Sequence, residues 1–303
     1  MRLSVLLCTY QRHELLQHAL CALLDRTIEK PDEVVIVNGG DDRADSVVAG
    51  FVNRHPGIVK LLKTKNVNLA TSRNVGLPHC SGDVIAMTDD DAMVFPDWIT
   101  AMKRAHVEHP EAGAVGGAVI GTNTESLVGK VADVMTFPCW PSGTYVQHLP
   151  GVNISYKREA IHEIGPQDEN LRRGEDVDYN WRLLLLGRKI YFDPNIKVYH
   201  YHRPNLTSLL RQFYMYGRSY YVVRSKWPDM YSIYPHGIRR VKDVLKAVNV
   251  FATVFYGPFL RVGRMPSRLG RLQALPVVFM IGLAWRAGIA SEMLTGVSEA
   301  GRK

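Results

Sequence analysis

Three adjacent carboxylates, Asp89-Asp90-Asp91, follow directly on a short apolar segment, residues 83–87, that reads as a buried strand. Like charges ~4 Å apart repel by about 1 kcal/mol in water and about 4 kcal/mol at an effective dielectric of 20. A divalent cation at the strand end would offset that cost. Mg²⁺ and Mn²⁺ take oxygen ligands and use one or two carboxylates together with substrate phosphates. The outer residues of Asp-x-Asp can converge on such an ion. A solvated acidic turn is the plain alternative, and placement after an apolar strand counts against it. A second acidic pair, Glu175-Asp176, follows Gly174 and opens a helical pattern, VDYNWRLLLLG. Helix capping and the macrodipole can explain carboxylates there unaided. Taken together, the two clusters suit a metal-assisted group transfer. One would hold a diphosphate leaving group, and the other would take a proton from the acceptor.

These residues need a scaffold, and the first half of the chain alternates strand and helix patterns. Residues 3–9, 33–37, 58–62 and 83–87 read as strands. Residues 13–24, 46–55, 69–79 and 98–106 read as helices. The strands lack polar alternation, as expected where both faces are covered, and the order predicts a parallel, three-layer α/β sheet. Ligands bind such sheets beyond the strand C-termini, which points to the loops 9–12, 38–42 and 89–91. Residues 112–120 read as a strand, and 121–150 show no period. Thereafter come a strand at 152–156, helices at 158–164 and 176–186, and strands at 189–192 and 197–200. No GxGxxG turn is present.

The composition, 46% hydrophobic and 22% charged, excludes a disordered, collagen-like or disulfide-scaffold chain. Cys8, Cys21, Cys80 and Cys139 stand at no ligand spacing, which suits a reducing compartment. The apolar run at the N-terminus is too short for a signal peptide and reads as the first strand. The net charge of +8 is uneven. Residues 1–202 hold 21 Lys/Arg against 25 Asp/Glu, whereas residues 203–303 hold 16 against 4. A basic final third implies a polyanionic partner. It also carries two apolar stretches, 244–260 and 272–290, broken by Lys246 and Asn249 and by Gln273, Pro276 and Arg286. Neither cleanly reaches the ~20 uncharged residues of a membrane span. With Arg261, Arg264, Arg268 and Arg271 beside them, they suit a helical segment lying on an anionic membrane surface. A buried helical subdomain or a homo-oligomer contact is the alternative. The acidic first two-thirds argues against nucleic acid as the partner. These features divide the chain into one domain of two halves, 1–122 and 123–205, and a basic, helical, membrane-associating region, 206–303.

Four segments, in order, give the sequence a family likeness: SVLLCTYQR (4–12), NLATSRNVGL (68–77), TDDDAMVFPDW (88–98) and GVNISYKREAIHEIGPQDENLRRGEDVDYNWRL (151–183). The chain resembles the family-2 glycosyltransferases, of GT-A fold, across residues 1–215. The resemblance implies inverting transfer of a sugar from a nucleotide-sugar donor to a hydroxyl acceptor, with Mg²⁺ or Mn²⁺. It implies that Asp89, Asp90 and Asp91 form the donor-side DxD segment, with Asp91 the more direct metal ligand and Asp89 the second. Asp176 would be the general base, oriented by Glu175. Thr9, Tyr10 and Arg12 would border the nucleoside, and Arg73 would lie near the diphosphate. Gly151 and Asn153 would line the acceptor side. His200, with His202 as alternative, would complete the metal site. The aromatic and basic segment 199–221 would line the entrance for a lipid-linked or polysaccharide acceptor, which places the enzyme on the cytoplasmic face of a membrane.

Two departures from the family pattern matter. Val37-Asn38-Gly39 stands where the family often has Val-Asp-Asp, so Asn38, or else Asp41 or Asp42, would meet the base; uracil is the default, with guanine and thymine open. Gln212 is not followed by the Arg-Trp of processive polymerases, which predicts transfer of one sugar at a time. Two further readings compete. Asp89 and Asp91 also suit a phosphohydrolase of the haloacid-dehalogenase type, although Met93 then stands where Thr or Val is expected. A non-catalytic, membrane-bound carbohydrate-binding scaffold is the other.

Overall fold

The computed structural model describes residues 1–230, 241–263, 265 and 267–295. They form two compact units. The first comprises residues 1–120 and 138–201, and the second 121–137 and 202–303. Residues 138–201 fold with the N-terminal strands, and residues 121–137 fold with the C-terminal helices.

The first unit begins β1 (Leu3–Thr9), α1 (His13–Leu20), β2 (Glu33–Asn38), α2 (Asp42–Arg54), β3 (Val59–Lys63), α3 (Leu69–Gly76) and β4 (Val84–Asp89). Then come β5 (Ala92–Val94), α4 (Trp98–Glu108) and β6 (Ala112–Gly121). After α5 (Leu127–Thr136), which belongs to the second unit, the chain forms β7 (Thr144–Val146), β8 (Ile154–Lys157), α6 (Arg158–Ile164), α7 (Glu175–Leu185) and β9 (Lys189–His200). The strand order is β3-β2-β1-β4-β8-β6-β9-β5, with β7 on β9.

The sheet is mixed rather than parallel throughout. β1 to β4 run parallel, as their doubly buried apolar runs require. β8 is antiparallel to both β4 and β6, and β9 is antiparallel to β5 and β7. The strand register gathers the polar loops at one place. Thr9 pairs with Asn38 and Cys8 with Asp89, so β1, β2 and β4 end level and their loops share one edge. Met87 pairs with Ile154, which brings residues 151–153 to that edge. Ala92 pairs with His200, which brings the end of β9 there too.

β9 is one strand of 12 residues where two were expected. Asp193-Pro194-Asn195 breaks its apolar pattern, and Asp193 Oδ1 accepts from Asn195 N–H at 2.8 Å. The partner strand accommodates this with Gly117, where a Cβ would lie 2.0 Å from the Ile196 carbonyl oxygen.

The second unit contains α5, α8 (Leu206–Lys226), α9 (Val241–Val262) and α10 (Arg268–Thr295). Leu209, Phe213, Val131, Ala274, Val278 and Ile281 form its core. α8 and α10 approach at two glycines. A Cβ on Gly217 would lie 1.8 Å from the Trp285 carbonyl oxygen, and one on Gly288 would lie 2.0 Å from that of Tyr214. Arg218 Nε and the buried Glu292 pair at 2.7 Å across the same contact. By sequence, residues 272–290 fall short of a clean span. The helix instead continues through Pro276 to 28 residues, long and apolar enough to cross a membrane by length and composition, with 28% of its apolar window buried.

Candidate active site

The shared strand edge gathers two guanidinium groups and five carboxylates. Asp89 ends β4, and Asp90 and Asp91 turn toward β5. Thr9 Oγ1 donates to Asp90 Oδ2 at 2.8 Å, and Arg12 Nη1 reaches Asp90 Oδ1 at 3.0 Å and also Asp91. Burial, together with Asp91, pushes Asp90 up to about 6 against the pull of Arg12. Tyr10 is exposed in the same loop, beside Gln11 at φ +54, a left-handed conformation that non-glycine residues rarely hold.

Arg73, on α3, is only 3% exposed. Its guanidinium meets Glu175 Oε1 at 3.1 Å, Asp89 Oδ1 at 3.5 Å and the Gly151 carbonyl at 3.4 Å. This explains the glycine at 151, where a Cβ would lie 2.6 Å from Arg73 Nη2. Asp176, in the first turn of α7, accepts from Gly151 N–H at 3.1 Å and Val177 N–H at 2.8 Å. One buried arginine therefore joins the two acidic clusters that the sequence holds 86 residues apart, counting from Asp89 to Glu175.

Position 153 differs from expectation. Asn153 is fully buried, its Oδ1 accepting from Trp98 Nε1 at 2.8 Å and its Nδ2 donating to the carbonyls of Ala118 at 2.9 Å and Ile196 at 3.0 Å. Its amide ties the sheet to α4 and offers nothing to an acceptor. Asn38 is similarly committed. Its Nδ2 donates to the Asp41 carbonyl at 3.0 Å and Asp45 Oδ1 at 2.7 Å, and its Oδ1 accepts from Gly40 N–H at 2.7 Å. Asn38 thus shapes the 38–42 loop rather than presenting an amide to a base.

His200 Nε2 stands 3.4 Å from Asp91 Oδ1. His202, the alternative, meets Asp133 at 3.2 Å within the second unit. Among the described residues no group of three His, Cys, Asp or Glu side chains is placed to hold a metal. Asp91 and His200 still fit a divalent ion whose remaining ligands are phosphate oxygens and water. Asp89 turns instead toward Arg73.

Burial, reinforced by Asp176, pushes Glu175 up to about 7 despite Arg73. A protonated Glu175 grips Arg73 less firmly. Activity is therefore expected to fall as pH drops through about 7. Glu175→Gln, fixed in the neutral form, should show lower activity without that limb in a pH–rate profile.

Asn74 was not anticipated as a site-building residue. Its Nδ2 donates to Gln167 O and Glu169 Oε1, and its Oδ1 accepts from Gln167 N–H, stapling the loop before Glu175 to α3. Its place beside Arg73 was the only sequence signal.

A model of the family described as Glycosyl transferase family 2 matches residues 4–164. A glucosyl-dolichyl phosphate glucuronosyltransferase of Haloferax volcanii is 31% identical over 191 residues, which are 58% of this chain and 59% of that protein. Among solved structures, the mannosyltransferase PcManGT from Pyrobaculum calidifontis, in complex with GDP-Man and Mn²⁺, aligns with a TM-score of 0.65 at 16% identity. That alignment covers 97% of this chain and 87% of that one. GalNAc-T7 with UDP, GalNAc and Mn²⁺ aligns with a TM-score of 0.59 at 14% identity, over 97% of this chain and 57% of that one. Both structures share the GT-A fold with this chain.

Proposed function

The chain belongs to glycosyl transferase family 2, and from that premise we propose that it transfers one sugar, with inversion, from a nucleotide-sugar donor to a hydroxyl of a lipid-linked glycan or polysaccharide. The observation that carries the proposal is Arg73, whose guanidinium reaches both Asp89 and Glu175. Donor-side and acceptor-side carboxylates thus meet at one site. Asp176, held by two backbone N–H groups, takes the acceptor proton while the acceptor oxygen attacks the anomeric carbon. A single displacement inverts that carbon, as in inverting hydrolases with the acceptor replacing water. Arg12 and Arg73 place positive charge beside the departing diphosphate. A divalent ion held by Asp91 and His200 would neutralise charge on that leaving group. The phosphohydrolase reading needs Asp89 as a free nucleophile, whereas its carboxylate faces Arg73.

A panel of UDP-, GDP- and dTDP-sugars, assayed for slow hydrolysis and for transfer, tests the activity and identifies the base. Calorimetry with UDP and GDP should show binding that requires Mn²⁺ or Mg²⁺ and is lost in Asp91→Ala. Binding that ignores the metal would remove Asp91 from the donor site.

We propose also that the second unit attaches the enzyme to an anionic membrane surface. Leu269, Leu272, Leu283, Met293 and Leu294 are exposed on α10, in a region rich in arginine. The protein should sediment with vesicles containing phosphatidylglycerol, more weakly at high salt. Equal binding to neutral vesicles would remove the electrostatic part.

A further inference from the structure

The segment that delivers Gly151 to Asp176 also carries His148. On α7, Asp176 and Asn180 are four residues apart and share a face, with Cβ atoms about 6 Å apart. Gly151 N–H bonds to Asp176, and Asn180 bonds to Leu149 and His148, so residues 148–151 run along that face. The imidazole therefore sits beside the base.

Its hydrogen bonds fix its protonation. Asn180 Nδ2 donates to the Leu149 carbonyl at 2.7 Å, and Asn180 Oδ1 accepts from Tyr156 O–H at 2.7 Å. A carbonyl can only accept, which sets the orientation of the Asn180 amide. The second Nδ2 proton then points at His148 Nδ1, 2.9 Å away, which must present a lone pair. The ring proton of the neutral imidazole lies on Nε2. An imidazolium would set N–H against N–H, and burial also lowers the His148 pKa, against the pull of Asp176. The residue is half-buried. Its Nε2 makes no hydrogen bond to the described residues. That leaves Nε2–H to an incoming group.

We propose that His148 is an acceptor-binding residue, and that the acceptor it selects is a sugar presenting neighbouring hydroxyls rather than a lipid phosphate. One hydroxyl donates to Asp176 and attacks; its neighbour accepts from His148 Nε2–H. A phosphate oxygen is already anionic and needs no base. It would also meet the Asp176 carboxylate with no cation supplied by His148. The inference rests on the glycosyltransferase reading.

Octyl glucoside, octyl galactoside and octyl mannoside are offered as acceptors beside citronellyl phosphate, with whichever donor the wild-type enzyme hydrolyses. Transfer to a glycoside is expected. His148→Leu should raise the glycoside KM by about ten-fold, the worth of one neutral hydrogen bond, without a matching rise in donor KM. His148→Gln should recover much of the loss, because its Oε1 can accept from Asn180 while its Nε2 donates outward. The inference is overturned if citronellyl phosphate is the better acceptor, if neither class is used although donor is hydrolysed, or if the Leu and Gln variants are equally impaired. If no nucleotide sugar is consumed, the transferase reading itself fails. The ¹⁵N spectrum of the imidazole still judges His148 in that event. A neutral ring protonated on Nε2 near neutral pH upholds its donor role, and any other state rejects it.

Discussion

Asp176→Asn is expected to lower the rate of sugar transfer by about 10²–10⁴-fold, the usual worth of a positioned general base, while nucleotide-diphosphate affinity stays at the wild-type level. Asn has the shape of Asp, and its Oδ1 can still accept from Gly151 N–H or Val177 N–H, so α7 and the 148–151 segment should keep their places. What is lost is the anionic oxygen that receives the acceptor proton. On the proposed donor side, Arg12 pairs with Asp91 and Arg73 with Asp89, contacts that do not use the Asp176 side chain. Steady-state transfer kinetics and nucleotide calorimetry on the same preparation separate the two. Retained transfer removes Asp176 as the base. Parallel loss of nucleotide binding means the substitution has reached Arg73 through Glu175, and the rate then reports on the donor site.

What the sequence makes legible, and what it does not, has a physical basis. β1, β2 and β4 were legible because strands covered on both faces must be apolar at every position, and the loops after them follow directly. The antiparallel second half was not, since the pairing of β8 with β4 and β6 depends on contacts between distant segments and leaves no period in the sequence. α5 and β7 hid in a stretch whose apolar residues are divided between two separate cores. Asp89, Asp91, Glu175 and Asp176 were legible as acidic clusters, whereas His200, the last residue of β9, stood out only through the family likeness. Asn153 and Asn38 were identified by position, but an asparagine reads alike whether its amide faces a ligand or, as at both positions, the backbone and side chains around it. His148 lay in the aperiodic stretch.

Arg73→Leu should destabilise the first unit by about 3–5 kcal/mol, the typical result of removing one partner from a buried ion pair. The buried Glu175 and the half-buried Asp89 would keep their places and lose the guanidinium that faces both. The deficit should depend on pH in a defined direction. Burial already raises both carboxyls in the intact protein, Glu175 from 4.5 to about 7. A carboxyl raised on folding contributes stability that is fully present below its unfolded value and is lost as pH rises through its folded value. Without Arg73 the folded values climb further, so the variant should approach wild-type stability near pH 4.5 and fall increasingly behind above about pH 7. Urea unfolding at both pH values measures this. Arg73→Lys should recover little, because one ammonium cannot replace a planar fork that meets Glu175, Asp89 and the Gly151 carbonyl together. Glu175→Leu added to Arg73→Leu should regain part of the lost stability without activity, since it deletes one of the two stranded charges. A pH-independent deficit would mean that the loss comes from packing against Gly151, and that the two acidic clusters do not share their charge balance through Arg73.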